Sequence, residues 1–331
     1  MYHVVCSTDN NYAPYCGAMI CSLLENNKYE FNIHIIYDSL SEENKSRLKN
    51  LIFSYNSLCT FHKVNINLKT KQVEGSRVLP DATYYRLLLS SLMPNDIHII
   101  LYLDCDIIVL KDISYLYAID MSEYSVAAIA DLKCMPLHGK HSNDMSIPYN
   151  GIYFNAGVML INLDYWREND VEKKLLNVIR SKSLFFHDQD ALNYVLKDTW
   201  FMLPPQACYL NLCPIELIYF KTRNDLYVYL NDIKMIHYIS NIKPWHDILI
   251  YPNRKFFINY IYKTPWGKDF KKISLKNKRN SYKKILNVKL NNIYILSPYI
   301  IILLCDTLLF LLAIISFGKI NYLKKKKHFT I

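Results

Sequence analysis

The stretch that decides the fold is Ile99-Ile100-Leu101-Tyr102-Leu103-Asp104-Cys105-Asp106-Ile107-Ile108-Val109, in which two aspartates interrupt an apolar run. Its first part predicts a buried β-strand over Ile97–Leu103, because the run is short, rich in branched residues and bounded by polar ones. In an extended backbone, residues i and i+2 point to the same side, so Asp104 and Asp106 can reach one cation. Carboxylates at the end of a buried strand need a counter-charge, and hard oxygen ligands suit Mg²⁺ or Mn²⁺. The stretch therefore predicts a strand end that holds a divalent cation.

Similar apolar runs alternate with segments of helical periodicity on both sides of this stretch. The pattern predicts further strands over Tyr2–Cys6, Phe31–Tyr37 and Tyr124–Ala130, and helices over Tyr15–Asn27 and Glu42–Tyr55. Ser41 followed by two glutamates is a typical helix start. This alternation predicts an α/β fold, with a single mostly parallel sheet and helices on both faces. Ligands of such sheets bind beyond the carboxyl ends of the strands.

Composition excludes several classes of protein. The chain has 331 residues, of which 51% are hydrophobic, enough for one large domain with an appendage or for two domains. Its 7 glycines are too scattered to form a dinucleotide fingerprint or a P-loop. The net charge of +10 arises after Lys263, so the main body is mildly acidic and lacks the basic surface that nucleic acid would require. The 9 cysteines are scattered without a C-x-x-C motif, as expected of reduced thiols in a reducing compartment.

A second motif ends at His237 and continues to Lys243-Pro244-Trp245. A neutral imidazole beside two carboxylates would complete a mixed nitrogen and oxygen site, which favours Mn²⁺ over Mg²⁺. Lys243, in a turn fixed by Pro244, could place its ammonium on a diphosphate. Taken singly, His237 is interpreted as a core histidine with satisfied hydrogen bonds, and Lys243 as a surface lysine.

Two further motifs contain polar residues beside small or acidic ones. The segment from Asn155 to Leu163 is interpreted as a small-residue turn that leads into a strand, in which Asn155 can bind a sugar hydroxyl and Gly157 permits close backbone approach. The segment from His187 to Asn193 is predicted to open a helix. Asp188 as its N-cap, with Asp190 behind it, is a sufficient structural explanation of these acids.

In combination, these motifs resemble glycosyltransferase family 8, and in particular bacterial lipopolysaccharide galactosyl- and glucosyltransferases. The resemblance covers roughly residues 2–265. Six motifs carry it, in the same order and at similar spacing: Asp9-Asn10-Asn11-Tyr12, Thr83-Tyr84-Tyr85-Arg86, Tyr102-Leu103-Asp104-Cys105-Asp106, Phe154-Asn155-Ala156-Gly157-Val158, Asp188-Gln189-Asp190 and His237 with Lys243-Pro244-Trp245.

The resemblance implies a GT-A fold and a retaining, Mn²⁺-dependent transfer from a UDP-hexose, with Mg²⁺ as the alternative cation. It implies a metal site of Asp104, Asp106 and His237. It also implies that Asp9 and Asn11 hold the uridine and ribose, that Lys243 meets the diphosphate, and that the donor sugar is surrounded by Arg86, Asn155, Asp188 and Gln189. The full donor-binding set is then Asp9, Asn11, Arg86, Asp104, Asn155, Ser240 and Lys243. Ser240 departs from the family, which usually has glycine there for a backbone contact to the phosphates.

Asp188 and Gln189 are the expected catalytic residues. A double displacement would need a carboxylate beneath the reacting sugar carbon, and Asp188 is the candidate for it, although the resemblance implies a sugar-binding role. We therefore favour front-face attack, in which the leaving phosphate takes the acceptor proton. Gln189 is expected to orient or electrostatically stabilise the sugar rather than attack it.

The C-terminal region predicts membrane attachment. We expect residues 1–265 to form the glycosyltransferase domain that the resemblance implies. They are followed by a predicted basic amphipathic segment at 266–292, a hydrophobic membrane segment at 293–318 and a basic tail at 319–331. Asp306 is the single charge within 293–318, and Pro298 lies near its start. Both flanks are basic, which places both ends on the cytoplasmic face if the segment forms an in-plane hairpin, and a simple span remains the alternative.

The expected function is the transfer of galactose or glucose from a UDP-sugar to a lipid-linked saccharide, such as lipopolysaccharide or another surface glycan, at the cytoplasmic face of the membrane. One alternative is a sugar nucleotidyltransferase, which normally needs a glycine-rich loop that the segment after the first predicted strand lacks. Another is a membrane-anchored, non-catalytic sugar-nucleotide-binding protein. No partner among nucleic acids is expected.

Overall fold

The computed structural model describes residues 1–65, 81–131, 152–210, 231–239, 243–246 and 253–270. Ser240, the predicted membrane segment 293–318, the basic tail 319–331 and the basic segment beyond residue 270 lie outside the described residues. In the described part of the chain, no helix is both long enough and apolar enough to cross a bilayer.

Seven strands among the described residues form the central sheet. In chain order they are β1 (Tyr2–Ser7), β2 (Phe31–Tyr37), β3 (Leu58–Lys63), β4 (Ile99–Leu103), β6 (Val126–Ala130), β7 (Phe154–Asn162) and β8 (Trp200–Met202). Their order across the sheet is β3-β2-β1-β4-β7-β6-β8. All neighbouring strands pair in parallel except β7, which is antiparallel to both β4 and β6. The prediction of a mostly parallel sheet is therefore confirmed, with start positions shifted to Ile99 for β4 and Val126 for β6.

A second, three-stranded sheet shows that the prediction of a single sheet is wrong. It comprises β5 (Ile107–Val109), β9 (Tyr209–Leu210) and β10 (Met235–His237), in the order β5-β10-β9. The chain turns at Asp104-Cys105-Asp106 after β4, so that β5 leaves the central sheet and pairs antiparallel with β10. The apolar stretch 99–109 thus supplies one strand to each sheet.

Helices cover both faces of the central sheet, as predicted. One face carries α1 (Ala13–Glu25), α2 (Glu42–Phe53) and α7 (Arg254–Ile261). The other carries the 3₁₀ helix Asp81–Leu88 and the helices α3 (Leu89–Leu92), α4 (Leu163–Glu168), α5 (Val171–Ser181) and α6 (His187–Leu196). Successive strand residues alternate between these two cores: Val4 faces the first and Val5 the second.

Local capping chemistry fixes several helix starts. Ser41 caps α2 as predicted, because its hydroxyl accepts a hydrogen bond from the Asn44 backbone N–H at 3.2 Å. At α6 the prediction of Asp188 as the N-cap is wrong, since Phe186 occupies that position. Asp190 satisfies the free backbone groups instead: its Oδ2 accepts from the N–H of Phe185 at 2.8 Å and of Phe186 at 2.7 Å. Asp188 is thereby left available for another contact.

Candidate active site

Polar residues at the ends of three strands, β1, β4 and β7, meet at one edge of the central sheet. Asp9 follows β1, and Asp104 and Asp106 follow β4, so these acids lie beyond the carboxyl ends of parallel strands. Because β7 runs in the opposite direction, its first residues reach the same edge. The Asp104 N–H donates to the carbonyl oxygen of Gly157 at 2.9 Å, which joins the turn after β4 to the beginning of β7.

Asp104, Asp106 and His237 converge on one point. His237 Nε2 lies 3.1 Å from Asp106 Oδ1 and 3.7 Å from Asp104 Oδ2, and one ligand atom from each residue lies within 4.8 Å of the others. The carboxylates are brought together by a tight turn, closed by the Ile107 N–H on the Asp104 carbonyl at 3.2 Å, and not by strand alternation as expected. Two carboxylates and an imidazole form a donor set that fits a divalent cation such as Mn²⁺.

The small sheet and Gly157 hold this triad together. His237 is the last residue of β10 and pairs with Ile107, the residue directly after Asp106. A Cβ atom on Gly157 would lie 2.2 Å from His237 Cε1 and 2.9 Å from Asp104 Oδ2. The close approach predicted for Gly157 is thus present, and the imidazole occupies the space that any other residue's side chain would need. The predicted turn at residues 155–157 is wrong, because these residues already belong to β7, whereas the strand predicted to follow them is confirmed.

Lys243 is paired with the same acids. Its Nζ donates to Asp106 Oδ2 at 2.5 Å and to the Tyr238 carbonyl at 2.6 Å. Burial would raise the pKa of Asp106, but the charge of Lys243 and the proximity of His237 outweigh it and hold that pKa well below its usual range. Asp106 is therefore ionised, and the predicted diphosphate lysine lies directly beside the predicted metal site.

Arg86 connects the triad of Asp104, Asp106 and His237 to Asp188. The buried guanidinium lies with Nη2 2.8 Å from Asp104 Oδ1 and Nε 3.0 Å from Asp188 Oδ2, and Nη1 donates to the Ala156 carbonyl at 2.7 Å. It also stacks over the ring of Tyr102, whose hydroxyl donates to Asp104 Oδ1 at 2.9 Å. Burial raises the pKa of Asp188 to about 6, with the charge of Asp104 adding to the shift and Arg86 opposing it. One arginine therefore fixes two carboxylates.

A buried amide network lies beside Asp188. Asn155 Nδ2 donates to Asp131 Oδ2 at 3.0 Å and to Gln189 Oε1 at 3.2 Å. Gln189 Nε2 donates to the same oxygen of Asp131 at 3.3 Å, and its Oε1 accepts from the Ala156 N–H at 3.0 Å. The register between β6 and β7 shifts between Ala128 and Ile129, which moves Asn155 into this position. The network joins both predicted sugar-binding amides to one carboxylate.

Sequence reasoning missed Asp131 and Tyr102 as members of this site. Asp131 directly follows β6 and is buried, so the rule that placed Asp104 at a strand end could also have found it. Tyr102 belongs to the motif 102–106, but the sequence pattern assigns it no role in the site. Its hydroxyl also lies 3.0 Å from Ser7 Oγ, which links the ends of β1 and β4.

The loop after β1 forms the remaining wall. Asp9 Oδ1 accepts from the Tyr12 N–H at 2.8 Å, which orders the turn that starts α1, and Asn11 is exposed within that turn. Tyr12 packs edge-on against Trp245 with ring centroids 5.8 Å apart, and burial together with the charge of Asp106 raises the pKa of Tyr12 to about 12. The Asp9–Tyr12 turn and the Lys243–Trp245 turn therefore adjoin at the triad.

This geometry can be compared with known proteins. The sequence profile described as "Glycosyl transferase family 8" matches residues 3–249. The chain belongs to glycosyltransferase family 8. The matched range contains eight predicted site residues that the structure brings together: Arg86, Asp104, Asp106, Asn155, Asp188, Gln189, His237 and Lys243.

Curated relatives of this family 8 chain match over most of their length. It is 32% identical over 280 residues to General stress protein A of Bacillus subtilis (strain 168), covering 80% of this chain and 94% of the relative. It is 29% identical over 299 residues to a lipopolysaccharide 1,2-glucosyltransferase of Escherichia coli, covering 87% and 86% respectively. Among solved structures, the galactosyltransferase LgtC in complex with donor and acceptor sugar analogues superposes with a TM-score of 0.68 at 23% identity, covering 80% of this chain and 96% of LgtC. The family 8 chain thus has the GT-A-like α/β fold.

Proposed function

We propose that this protein is a retaining hexosyltransferase that moves glucose or galactose from a UDP-sugar to a saccharide acceptor, with Mn²⁺, or alternatively Mg²⁺, as its cation. The observation that carries the proposal is the convergence of Asp104, Asp106 and His237 within 4.8 Å, beside Lys243 and Arg86. The similarity to a lipopolysaccharide glucosyltransferase supports hexose transfer, and the fold shared with LgtC supports a sugar-nucleotide donor.

Charge is the first reason why the site suits a diphosphate leaving group. Held by Asp104, Asp106 and His237, a divalent cation would neutralise the charge that develops as UDP departs. Lys243 lies on the opposite side of Asp106 and supplies a second positive charge at hydrogen-bonding distance from this turn. In this structure its ammonium pairs with Asp106, so a cation that shared this carboxylate would leave Lys243 available for a phosphate oxygen.

The donor sugar is assigned to the space beside Arg86, Asp188 and Gln189. Arg86 is locked by carboxylates and a carbonyl, and therefore acts as a rigid wall rather than a mobile side chain. Asp188 provides a carboxylate that can accept from sugar hydroxyls, and Gln189 provides an amide beside it. Such fixed hydrogen-bonding groups orient the reacting carbon toward the acceptor.

Retention of configuration is assigned to front-face attack. In that reaction the acceptor hydroxyl attacks the sugar carbon from the side that the phosphate leaves, and a phosphate oxygen takes its proton. A double displacement would require Asp188 to act as the nucleophile. Its ion pair with Arg86 at 3.0 Å makes this carboxylate a weaker nucleophile. Gln189 is neutral and has both amide ends engaged, which suits electrostatic support of the sugar better than attack.

UDP release provides the direct test. Purified protein with Mn²⁺ should release UDP from UDP-glucose or UDP-galactose slowly without an acceptor, and the better donor identifies the hexose. Asp106→Ala should abolish this release, whereas Asp120→Ala, which removes an exposed aspartate elsewhere, should not change it. The proposal fails if neither donor is bound or hydrolysed, or if Asp106→Ala turns over as the unchanged protein does. Detection of pyrophosphate would instead favour a nucleotidyltransferase.

The acceptor and location form a separate part of the proposal. We propose that the acceptor is a lipid-linked saccharide, such as lipopolysaccharide, and that the chain attaches to the cytoplasmic face of the membrane through residues after 265. The support is the sequence of the basic and apolar C-terminal segments together with the lipopolysaccharide-modifying relative. Replacing Lys324–Lys327 by glutamine should weaken binding to anionic vesicles in a flotation assay, because each lysine near such a surface contributes about 1 kcal/mol. If the unchanged protein and the glutamine variant bound equally well to anionic and to neutral vesicles, the proposed electrostatic attraction of these lysines to the membrane would be contradicted.

A further inference from the structure

His237 has a partner on each side of its ring. Its Nε2 faces the two carboxylates of the triad, while its Nδ1 lies 3.0 Å from Asn155 Oδ1 in the buried interior. An imidazole can present a lone pair to a cation at Nε2 only when the other nitrogen carries the hydrogen. The group opposite Nδ1 therefore decides whether His237 is a competent ligand.

The orientation of the Asn155 amide is determined by its other contacts. The Gly157 backbone N–H lies 3.0 Å from Asn155 Oδ1 and can only donate, so this atom must be the oxygen. With the oxygen identified in this way, the other end of the amide is the nitrogen, and Nδ2 donates to Asp131 Oδ2 at 3.0 Å. With its oxygen directed at His237, Asn155 requires the hydrogen on Nδ1.

Asp131 anchors this arrangement from further inside. A single oxygen of its buried side chain accepts from Asn155 and also from Gln189, so this one acceptor holds both amides in one orientation. Asn155 is itself buried, and its oxygen contacts both Gly157 and His237. A continuous chain of hydrogen bonds, here called the relay, therefore runs from Asp131 through Asn155 to His237. None of these bonds requires a substrate.

We propose that Asn155 and Asp131 are positioning residues that fix the ring orientation and Nδ1–H tautomer of His237, and so set the affinity of the triad for a divalent cation. This role comes in addition to the sugar contact predicted for Asn155, and it rests on the proposed function insofar as the triad binds a cation. Partners of this kind, behind a ligating histidine, commonly change metal affinity by about 10- to 100-fold.

Mn²⁺ binding without donor or acceptor tests the proposal. The electron paramagnetic resonance signal of free Mn²⁺ is followed as protein is added, so turnover does not enter the measurement. Asn155→Ala and Asp131→Leu should each weaken Mn²⁺ binding by about 10-fold or more. Asp131→Asn keeps an oxygen that can accept from Asn155, and it should restore affinity to within about threefold of the original.

Asn193→Ala is the matched control. Asn193 is a buried asparagine whose amide forms hydrogen bonds with the backbone N–H and C=O of Phe154, the residue before Asn155 on β7. None of its hydrogen bonds involves His237. It should lose thermal stability while keeping its Mn²⁺ affinity. If Asn193→Ala weakened Mn²⁺ binding as much as Asn155→Ala, the loss of affinity would be a general effect of disturbed packing, and the proposal would be overturned.

A second measurement addresses His237 directly. In protein without metal, the Nδ1-bound hydrogen of His237 should give a slowly exchanging imidazole signal in nitrogen-15 NMR spectra, and Asn155→Ala should accelerate its exchange. Unchanged exchange would overturn the relay even if Mn²⁺ affinity fell. If the unchanged protein showed the protected signal but bound no Mn²⁺, the proposed function would fail while the relay itself stood.

Discussion

Gly157→Ala should disable the metal site by displacing His237. The added Cβ would lie 2.2 Å from His237 Cε1 and 2.6 Å from Nδ1, whereas non-bonded carbon atoms normally approach to about 3.5 Å. The ring must therefore retreat by roughly 1 Å, and Asp104 Oδ2, at 2.9 Å, must also move. A displacement of about 1 Å in a reacting assembly typically costs about 100-fold in rate. We expect UDP release to fall by about that factor, with a parallel loss of Mn²⁺ affinity.

Gly17→Ala separates this effect from simple overpacking. Its Cβ would lie 2.5 Å from Trp266 Cζ3, a comparable clash on the α1 face of the sheet. Both variants should lose about 1–3 kcal/mol of unfolding free energy, measured by urea denaturation, because extra methyl groups strain a packed core. Only Gly157→Ala should lose Mn²⁺ affinity and turnover. Affinity and turnover of Gly157→Ala within about threefold of the original protein would refute the reasoning that this glycine makes room for the ligand.

Three other outcomes are expected. Burial, together with the charges of neighbouring histidines, lowers the pKa of His34 to about 3. Because the folded chain then binds fewer protons than the unfolded chain, the melting temperature should fall as the pH drops from 6.5 toward 3. His34→Phe should make the melting temperature less dependent on pH over this range. Asp188→Asn should lower kcat for UDP release by about 10- to 100-fold without changing Mn²⁺ affinity, and a matching loss of affinity would contradict its assignment to the sugar. Trp245→Ala removes a ring stacked 3.7 Å from Tyr15, so the Lys243 turn should loosen and KM for the donor should rise about 2- to 10-fold in steady-state kinetics, with kcat nearly unchanged.

Local signals in the sequence predicted the elements that depend on local chemistry. Phe31–Tyr37 is a strand with the predicted bounds, because a short apolar run between polar turns has few other solutions. The cap at Ser41 likewise depends on a hydrogen bond within the next turn. Apolar periodicity also indicated helices on both faces, because inner strands such as β2 and β4 are buried on both sides.

The errors arose where distant segments decide the structure. The small residues at 155–157 are typical of a turn, yet they continue β7 because His237, from a different part of the chain, occupies the space above Gly157. The second sheet depends on pairing between β5 and β10, which no local pattern reveals. Asp188 and Asp190 are equivalent as acids at a helix start, and only the location of Arg86 determines that Asp188 forms an ion pair while Asp190 accepts from the Phe186 backbone N–H.

The small sheet also ties metal binding to the completion of folding. It brings Lys243 beside Asp106, which lies 137 positions earlier in the chain. His237 reaches Asp106 in the same way, because its strand β10 pairs with β5. Closing so long a loop loses chain entropy before any contact compensates, so this junction should be among the last to assemble. A cation shared by the two segments would bind only after they have met, and mass action would then hold them closed. The time for which the chain stays folded should therefore increase with the concentration of the free cation.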